Sequence, residues 1–180
     1  MAEATPKLNR EFVDFLVEAK QHGYGSPDAR RITTETGASE ISYSREPYLY
    51  LDNFVGGNPY GGYEHVAVKI GYTYVPVWAM SYHETFKAAG ITDKRLTEVL
   101  GQVLSKPDSE LPVRGPQSWR GGAYKYKLNF GEDASLEKFE AEEVITSRSK
   151  IIYTAKFIGG VVNLEAVAGI VKPSWLESKS

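Results

Sequence analysis

Apolar and polar residues alternate through the central stretch of the chain, residues 48–82. Val66, Val68 and Ile70 fall two residues apart, the spacing of one face of a β-strand. Turns rich in glycine and asparagine divide the stretch. It therefore predicts three antiparallel strands, at about residues 48–54, 63–70 and 73–82. Pro76 inside the third strand indicates a bulge or an edge position.

Two stretches instead have the three- and four-residue spacing of amphipathic helices. The first stripe consists of Leu8, Phe12, Phe15, Leu16 and Ala19. With Asn9 as N-cap and Gly23 as stop, it predicts a helix at about residues 9–22. The second helix follows Thr92 as its cap and ends before Pro107. Its stripe consists of Leu96, Val99, Leu100, Val103 and Leu104.

A second group of strands, at about residues 124–130, 139–146 and 150–158, repeats the pattern of the first. The matching residues include Tyr50 with Tyr126, Phe54 with Phe130, Glu64 with Glu143 and Tyr82 with Phe157. A helix precedes each group, so the chain reads as a duplicated helix-plus-three-stranded-meander unit, with halves at about 9–90 and 91–165. Chance matching of aromatic-rich strands is the alternative.

The predicted fold is therefore a single α+β domain, residues 1–180, with an antiparallel sheet of about six strands and both helices on one face. Residues 23–40 and 107–122 lack periodicity and are expected to be a long loop and a connection. Residues 84–89 suggest one helical turn. Residues 161–171 suggest a last strand or a packed tail, with a frayed end at 172–180.

Composition narrows the possible functions. The 180-residue chain has a net charge of −2, with basic and acidic residues interspersed, whereas nucleic-acid-binding proteins usually carry a basic patch. The absence of cysteine excludes disulfides, thiol catalysis and thiolate metal sites. The N-terminus lacks the apolar segment of a signal peptide, and no apolar run reaches membrane-spanning length. We therefore expect a cytoplasmic protein that contacts neither membrane nor nucleic acid directly.

Glu64 and Glu143 are the carboxylates most suggestive of chemistry. Each begins a predicted strand after an aromatic and a small residue at the same spacing. If a twofold axis relates the halves, the two carboxylates could approach each other, shift each other's pKa and share a proton. The alternative is that each accepts backbone hydrogen bonds at its own turn. Glu142, beside Glu143, makes the second position ambiguous.

Aromatic residues and one arginine complete the candidate site. Arg114, held in the turn Arg114-Gly115-Pro116, is able to bind a carboxylate or phosphate, or to tie the connection to Glu64 or Glu143. The strand aromatics can stack on a planar ligand or simply pack within the sheet. The candidate ligand-binding residues are Tyr50, Asp52, Glu64, Trp78, Tyr82, Arg114 and Glu143.

Motifs for metal or covalent catalysis do not stand out. His65 and His83 each adjoin a glutamate, but adjacent strand residues point to opposite faces, so no metal site is predicted. The glycine pairs lack the Lys-Ser/Thr ending of a phosphate loop, and there is no Gly-x-Ser-x-Gly elbow. We therefore predict no catalytic residue and no cofactor.

Several short motifs are distinctive when taken together. They are FLVEAK in the first helix, Tyr50-Leu51-Asp52, the turn leading to Glu64, PVWAMSY at residues 76–82, Arg114-Gly115-Pro116, and Tyr153 followed by Phe157-Ile158-Gly159-Gly160. Over about residues 10–163 the chain resembles the bacterial and archaeal family called domain of unknown function 5680. It departs from that family at Ser81, where Asn is usual, and at His83, where Gly is common.

In that family the domain often follows a helix-turn-helix of the XRE kind, so the resemblance implies a sensor or effector module of a regulator. Little of this chain precedes the first helix, so we expect no DNA-binding domain in it. Our leading hypothesis is a non-enzymatic small-molecule-binding or sensor domain, with its site on the aromatic sheet face between the halves. The alternatives are a small hydrolase or isomerase that uses Glu64 or Glu143 as general base, and an interaction or homodimerisation domain.

Overall fold

The computed structural model describes residues 8–23, 26, 29–87 and 91–171, except the side chains of 168–171. Within these residues, each of the first two helices precedes a group of strands, and a third helix follows the last strand. The helices are α1 (Arg10–His22), α2 (Asp93–Leu104) and α3 (Leu164–Val171). The strands are β1 (Arg31–Thr33), β2 (Ser39–Arg45), β3 (Tyr48–Gly56), β4 (Tyr60–Ile70), β5 (Thr73–Phe86), β6 (Ser118–Gly121), β7 (Tyr124–Phe130), β8 (Lys138–Ser147) and β9 (Lys150–Val161).

One antiparallel sheet contains all nine of these strands, in the order β1-β2-β3-β4-β5-β9-β8-β7-β6. The strands of each group follow one another as a meander. The last strands of the two groups, β5 and β9, pair at the centre, where Tyr82 lies opposite Phe157. The α+β class and the antiparallel sheet are thus confirmed.

The prediction of about six strands is wrong, because the sheet has nine. The additional strands are β1, β2 and β6, which lie at or next to the two edges of the sheet. β1 and β6 are three and four residues long, too short to display a period of two. Their backbone hydrogen bonds to a neighbouring strand define them, and that pairing is not visible in a local pattern of apolar residues.

The first helix forms where its pattern predicts. The side chain of Asn9 caps α1 by accepting a hydrogen bond from the Phe12 N–H at 2.9 Å, and Gly23 follows its last turn. Phe12, Phe15, Leu16 and Ala19 are fully buried under it. The helix therefore covers the first half of the sheet through one apolar stripe.

The second helix also agrees with its prediction. The Thr92 hydroxyl accepts a hydrogen bond from the Arg95 N–H at 3.2 Å, and the predicted stripe of α2 is buried. The predicted helical turn at 84–89 is wrong, since residues 84–86 belong to β5. Residues 164–171 form helix α3, with Ala166 and Val167 buried, so the segment is a packed tail and not a last strand. The predicted frayed end at 172–180 lies outside the described residues.

The two faces of the sheet differ. The inner face, which carries Tyr50, Glu64, Met80 and Tyr82, shares one buried core with the apolar stripes of α1 and α2. The outer face of β5, β9 and β8 carries exposed side chains such as Ile158, and α3 packs against β5. Pro76 lies at a bulge, where the β4–β5 register shifts between Val66 and Ala67. Since β5 is central, the bulge interpretation of Pro76 is confirmed and the edge interpretation is wrong.

Candidate functional site

The buried charged side chains of the described residues gather on the inner face of the sheet. Each is at most 6% exposed. They are Lys20, Asp52, Glu64, Glu84, Arg114 and Glu143. We call these six residues the acid-rich cluster, because four carboxylates share two cationic side chains.

One part of the acid-rich cluster is built around Lys20 of α1. Its ammonium group donates to the carboxylate of Glu64. It also lies 5.7 Å from the ring centre of Tyr50 and 5.8 Å from that of Trp78. The tyrosine and tryptophan faces add cation–π attraction to the ion pair. Asp52 lies directly opposite Glu64 in the β3–β4 pairing, so a second carboxylate adjoins this pair.

The other part is built around Arg114, in the connection between α2 and β6. Its guanidinium donates to Glu84 at 2.7 Å and to Glu143 at 3.4 Å. The Tyr153 hydroxyl lies 2.6 Å from one oxygen of Glu84 and 3.0 Å from one oxygen of Glu143. The Tyr60 hydroxyl also donates to Glu84. Strand pairing accounts for this proximity, since both glutamates lie opposite Ala155 of β9.

Tyr82 joins the two parts. Its hydroxyl donates to Asp52 at 2.7 Å. The Arg114 guanidinium carbon lies 6.0 Å from its ring centre and 5.3 Å from the ring centre of Phe157. One aromatic side chain therefore contacts a carboxylate of the Lys20 part and the cation of the other part.

The prediction that Glu64 and Glu143 approach each other is wrong. Glu64 is on β4 and Glu143 on β8, and β5 and β9 run between them, so three strand spacings, roughly 14 Å, separate the two strands. The register also aligns Glu64 with Phe139 and Glu143 with Tyr60, so the two glutamates are offset along the strands as well. Each instead adjoins a different carboxylate, Asp52 or Glu84. The alternative of backbone acceptors is also wrong, since Lys20 pairs with one glutamate and Arg114 with the other.

Burial and crowding of like charges shift the pKa values within the cluster. Burial, and then the Glu64 carboxylate, raises the pKa of Asp52 to about 7. Burial, with Glu84, also raises the pKa of Glu143, although Arg114 opposes the shift. Burial lowers the pKa of Lys20 against the attraction of Glu64. All three shifts favour the neutral forms of these side chains.

Two buried polar atoms in the Arg114 part have no hydrogen-bond partner of ordinary geometry among the described residues. They are Oε1 of Glu143 and the hydroxyl oxygen of Tyr126. Buried polar groups are normally satisfied by protein or by bound water. The two side chains are electrostatic neighbours, because Glu143 contributes to the raised pKa of Tyr126 after burial itself. A side-chain hydrogen bond between Glu143 and Tyr126 also contributes to both pKa values, so the two atoms are each other's poorly aligned partners and a better-placed donor would serve both.

All seven sequence-predicted candidates lie on or over the inner face. Tyr50 and Trp78 contact Lys20, and the indole N–H of Trp78 donates to the Leu136 carbonyl at 3.0 Å. Trp78 also stacks on Phe139 with ring centres 5.9 Å apart. These strand aromatics therefore pack within the sheet and contact a charged residue of the acid-rich cluster at the same time. Arg114 ties its connection to Glu143, one of the two predicted partners.

Five residues of this region were not among the seven candidates: Lys20, Tyr60, Glu84, and the strand aromatics Tyr126 and Tyr153. Two of them carried a signal. Lys20 follows Leu16 by one helical turn, so it occupies a position of the apolar stripe. Glu84 continues the alternation of Trp78, Met80 and Tyr82 onto the same face. A charge at an apolar position of a regular pattern is the sequence sign of a buried ionic group.

Tyr82 occupies space that is open only because Gly62 has no side chain. A Cβ atom at Gly62 would lie 2.7 Å from the Tyr82 hydroxyl and 2.2 Å from the Asn53 carbonyl oxygen. We predict that Gly62→Ala displaces Tyr82 from Asp52 and lowers the free energy of unfolding by about 2–4 kcal/mol. Urea unfolding measures it. The control is Gly57→Ala, where a Cβ meets no atom within 4 Å; an equal loss in both variants contradicts the packing argument.

Asp52 should make stability depend on pH. Its pKa is about 7 in the folded chain and near 3.9 when unfolded, so the unfolded chain loses its proton first as pH rises. This contribution to stability is full below about pH 4 and is lost as pH rises to about 7. We predict that Asp52→Asn shrinks the stability difference between pH 5 and pH 8 by about 3 kcal/mol. Urea unfolding at both pH values measures it.

The control for this titration is Glu142→Gln, on the exposed side of β8. It should keep the pH dependence of the wild-type chain. An unchanged pH dependence in Asp52→Asn would mean that Asp52 is ionised in the fold throughout this range.

The outer face carries open hollows over β5, β9 and β8. One hollow of about 690 Å³ and another of about 740 Å³ share Ser81, Glu140 and Ile158 in their lining. Ile158 is 58% exposed between them. This face is therefore the accessible apolar surface of the second half, while the acid-rich cluster is enclosed on the opposite side.

Metal sites and membrane spans were also sought in the structure. Within residues 8–23, 26, 29–87 and 91–171, no group of three or more His, Asp or Glu side chains is arranged to hold a metal ion. No helix in the same part of the chain combines the length and apolar character needed to cross a membrane. The carboxylates of the acid-rich cluster are instead held by cations, hydroxyls and one another.

Comparison with known proteins places the chain in a family without giving it a function. No curated protein matches it. No solved structure matches it either. A family model described as domain of unknown function (DUF5680) matches residues 52–162, more than half of the chain. This match includes Asp52, Glu64, Glu84, Arg114 and Glu143, so five of the six charged residues of the cluster lie within the family domain. The chain belongs to the DUF5680 family.

Proposed function

We propose that the chain is a non-enzymatic small-molecule-binding or sensor domain whose ligand binds at the acid-rich cluster. The observation that carries the proposal is the convergence of four buried carboxylates on only two cations. Replacing buried ion pairs by well-packed apolar residues is often neutral or stabilising. Stability alone therefore gives little reason for this arrangement, whereas local departures from an apolar core are expected at functional sites.

We further propose that the two halves arose by duplication and that the site lies where they meet. Matching residues occupy matching strands, with β3, β4 and β5 equivalent to β7, β8 and β9. The register shifts at Val66/Ala67 in β4 and at Ile145/Thr146 in β8, which are matching positions. Tyr82 and its counterpart Phe157 face each other across the central pair. A site between the halves would have unequal sides, since Asp52 matches Leu128.

The experiment is a thermal-shift screen of a metabolite library against the wild-type chain, Glu64→Gln, Glu143→Gln and the control Glu142→Gln. A ligand of the cluster should raise the melting temperature of the wild-type chain and of Glu142→Gln by about 2 °C or more. It should raise the melting temperatures of the other two variants less. Equal shifts in all four chains, or none in any, would contradict the proposal.

A second candidate function is a small hydrolase or isomerase that uses a carboxylate as general base. The observation in its favour is the pKa of about 7 at Asp52, with a raised pKa at Glu143, because a general base works best near the operating pH. Mass spectrometry of a bound compound after long incubation separates the two functions. We expect the compound to be recovered unchanged; conversion that is lost in Glu143→Gln or Asp52→Asn would favour the enzyme.

A third candidate is an interaction or homodimerisation domain, favoured by the open outer face and the exposure of Ile158. Light scattering of the wild-type chain and Ile158→Lys tests it. A dimer that Ile158→Lys disrupts would support the interaction function, and a monomer in both chains would count against homodimerisation.

The resemblance to a regulator module supports a sensor that acts in the cytoplasm of a prokaryote, in company with a DNA-binding domain.

A further inference from the structure

We infer that the ligand of the acid-rich cluster is an organic cation with an N–H donor and an aromatic or apolar body. The inference rests on the proposed function and specifies its ligand class. Its starting point is an excess of negative charge: Lys20 pairs with Glu64, Arg114 is shared by Glu84 and Glu143, and Asp52 accepts from the Tyr82 hydroxyl.

The unpartnered atoms point to a missing donor. Oε1 of Glu143 and the Tyr126 hydroxyl are buried and make no hydrogen bond of ordinary geometry with described residues. The other carboxylate oxygen of Glu143 lies 3.4 Å from Arg114 Nε and 3.0 Å from the Tyr153 hydroxyl. An ammonium or amidinium group supplies several N–H donors, so it is able to satisfy both unpartnered atoms at once.

Aromatic rings surround the charged groups and favour the same ligand class. Tyr60 makes edge contacts with Tyr82 and Phe86, at ring-centre distances of 6.4 Å and 5.7 Å. Phe86 in turn lies 5.7 Å from Tyr153. The faces of aromatic rings attract cations and accommodate flat apolar groups. An anionic ligand would meet four carboxylates and would be repelled.

Protons and the cation should compete for the cluster. The groups that face Glu143 are Arg114, Glu84, Tyr126 and Tyr153, and those that face Asp52 are Lys20, Glu64, Tyr82 and Arg114. Burial among these groups raises the pKa of both carboxylates, to about 7 for Asp52. A bound cation favours their ionised form, so binding should release protons to the buffer.

Three matched probes test the inference by calorimetry at pH 7: benzylammonium, benzyl alcohol and benzoate, which share a ring and differ in charge. Benzylammonium should bind the wild-type chain about tenfold or more tightly than either of the others. Titrations in phosphate and in HEPES, which differ in ionisation enthalpy and carry no net positive charge, should reveal proton release. Glu143→Gln should weaken benzylammonium binding by about tenfold, and Glu142→Gln should leave it unchanged.

The outcomes distinguish this inference from the proposed function. Equal or tighter binding of benzyl alcohol or benzoate overturns the cationic ligand class, and so does the absence of benzylammonium binding up to about 10 mM. In either case a neutral or anionic library compound whose thermal shift depends on Glu64 and Glu143 would still support a small-molecule site. Benzylammonium binding that is unaffected by Glu143→Gln overturns the placement of the cation at Glu143.

Discussion

Replacing Arg114 by methionine should cost the folded chain about 3–5 kcal/mol or more at pH 7. The guanidinium is 5% exposed and is the cation shared by Glu84 and Glu143, both fully buried. Methionine retains an apolar side chain of similar length but leaves two carboxylates without a cation. The carboxylates would then take up protons, so the loss should be smaller at pH 5 than at pH 7. Urea unfolding at both pH values measures it.

A second variant keeps this prediction testable if Arg114→Met does not fold. Arg114→Lys retains the charge but lacks the planar fork that reaches two carboxylates at once, so its stability should be intermediate. Adding Glu143→Gln to Arg114→Met should recover part of the loss, because it removes one uncompensated charge. A loss below about 1 kcal/mol in Arg114→Met, the level of an exposed ion pair, would contradict the role of Arg114.

Lys20 and Glu64 should show strong energetic coupling in a double-mutant cycle. Lys20→Met leaves the buried Glu64 carboxylate beside Asp52 without its cation, and we expect a loss of about 3–5 kcal/mol. The double variant Lys20→Met/Glu64→Gln removes both charges and should recover at least about 2 kcal/mol. Urea unfolding of the four chains gives the coupling energy.

An exposed ion pair between β2 and the same helix gives the matched control for this cycle. Arg45 donates to Glu18 of α1 at 2.8 Å, and both side chains are partly exposed. Its coupling energy should stay below about 1 kcal/mol. If the losses at Lys20 and Glu64 simply add, the two side chains do not interact in the folded chain.

The caps and faces of the helices were predictable because they depend on near neighbours. Asn9 bonds to the N–H three residues later, and Thr92 does the same at α2. The periods of two and three to four residues likewise identify the inner positions of β4 and the stripe of α1. For the same reason the seven predicted candidates fall on or over a single face: strand alternation, or a turn beside the strands, placed them there.

The pairing of charges was not predictable, because it depends on contacts between distant parts of the chain. Lys20 meets Glu64 across 44 residues, and Arg114 meets Glu84 across 30. Only the strand order β4-β5-β9-β8 decides that Glu143 approaches Glu84 and not Glu64. The edge strands β1 and β6 escaped prediction for the same reason, since their partners and not their own patterns define them.

The most direct test of the account is a methyl NMR titration with the compound that gives the largest thermal shift. Met80 is buried opposite Glu64 on the inner face, whereas Ile158 is 58% exposed on the outer face. With labelled Met and Ile methyl groups, each resonance reports on one face of the same two central strands. Binding at the acid-rich cluster predicts a saturating shift of the Met80 methyl, with Ile158 unchanged and the response reduced in Glu143→Gln. A shift of Ile158 with Met80 unchanged would place the ligand on the outer face and contradict the account.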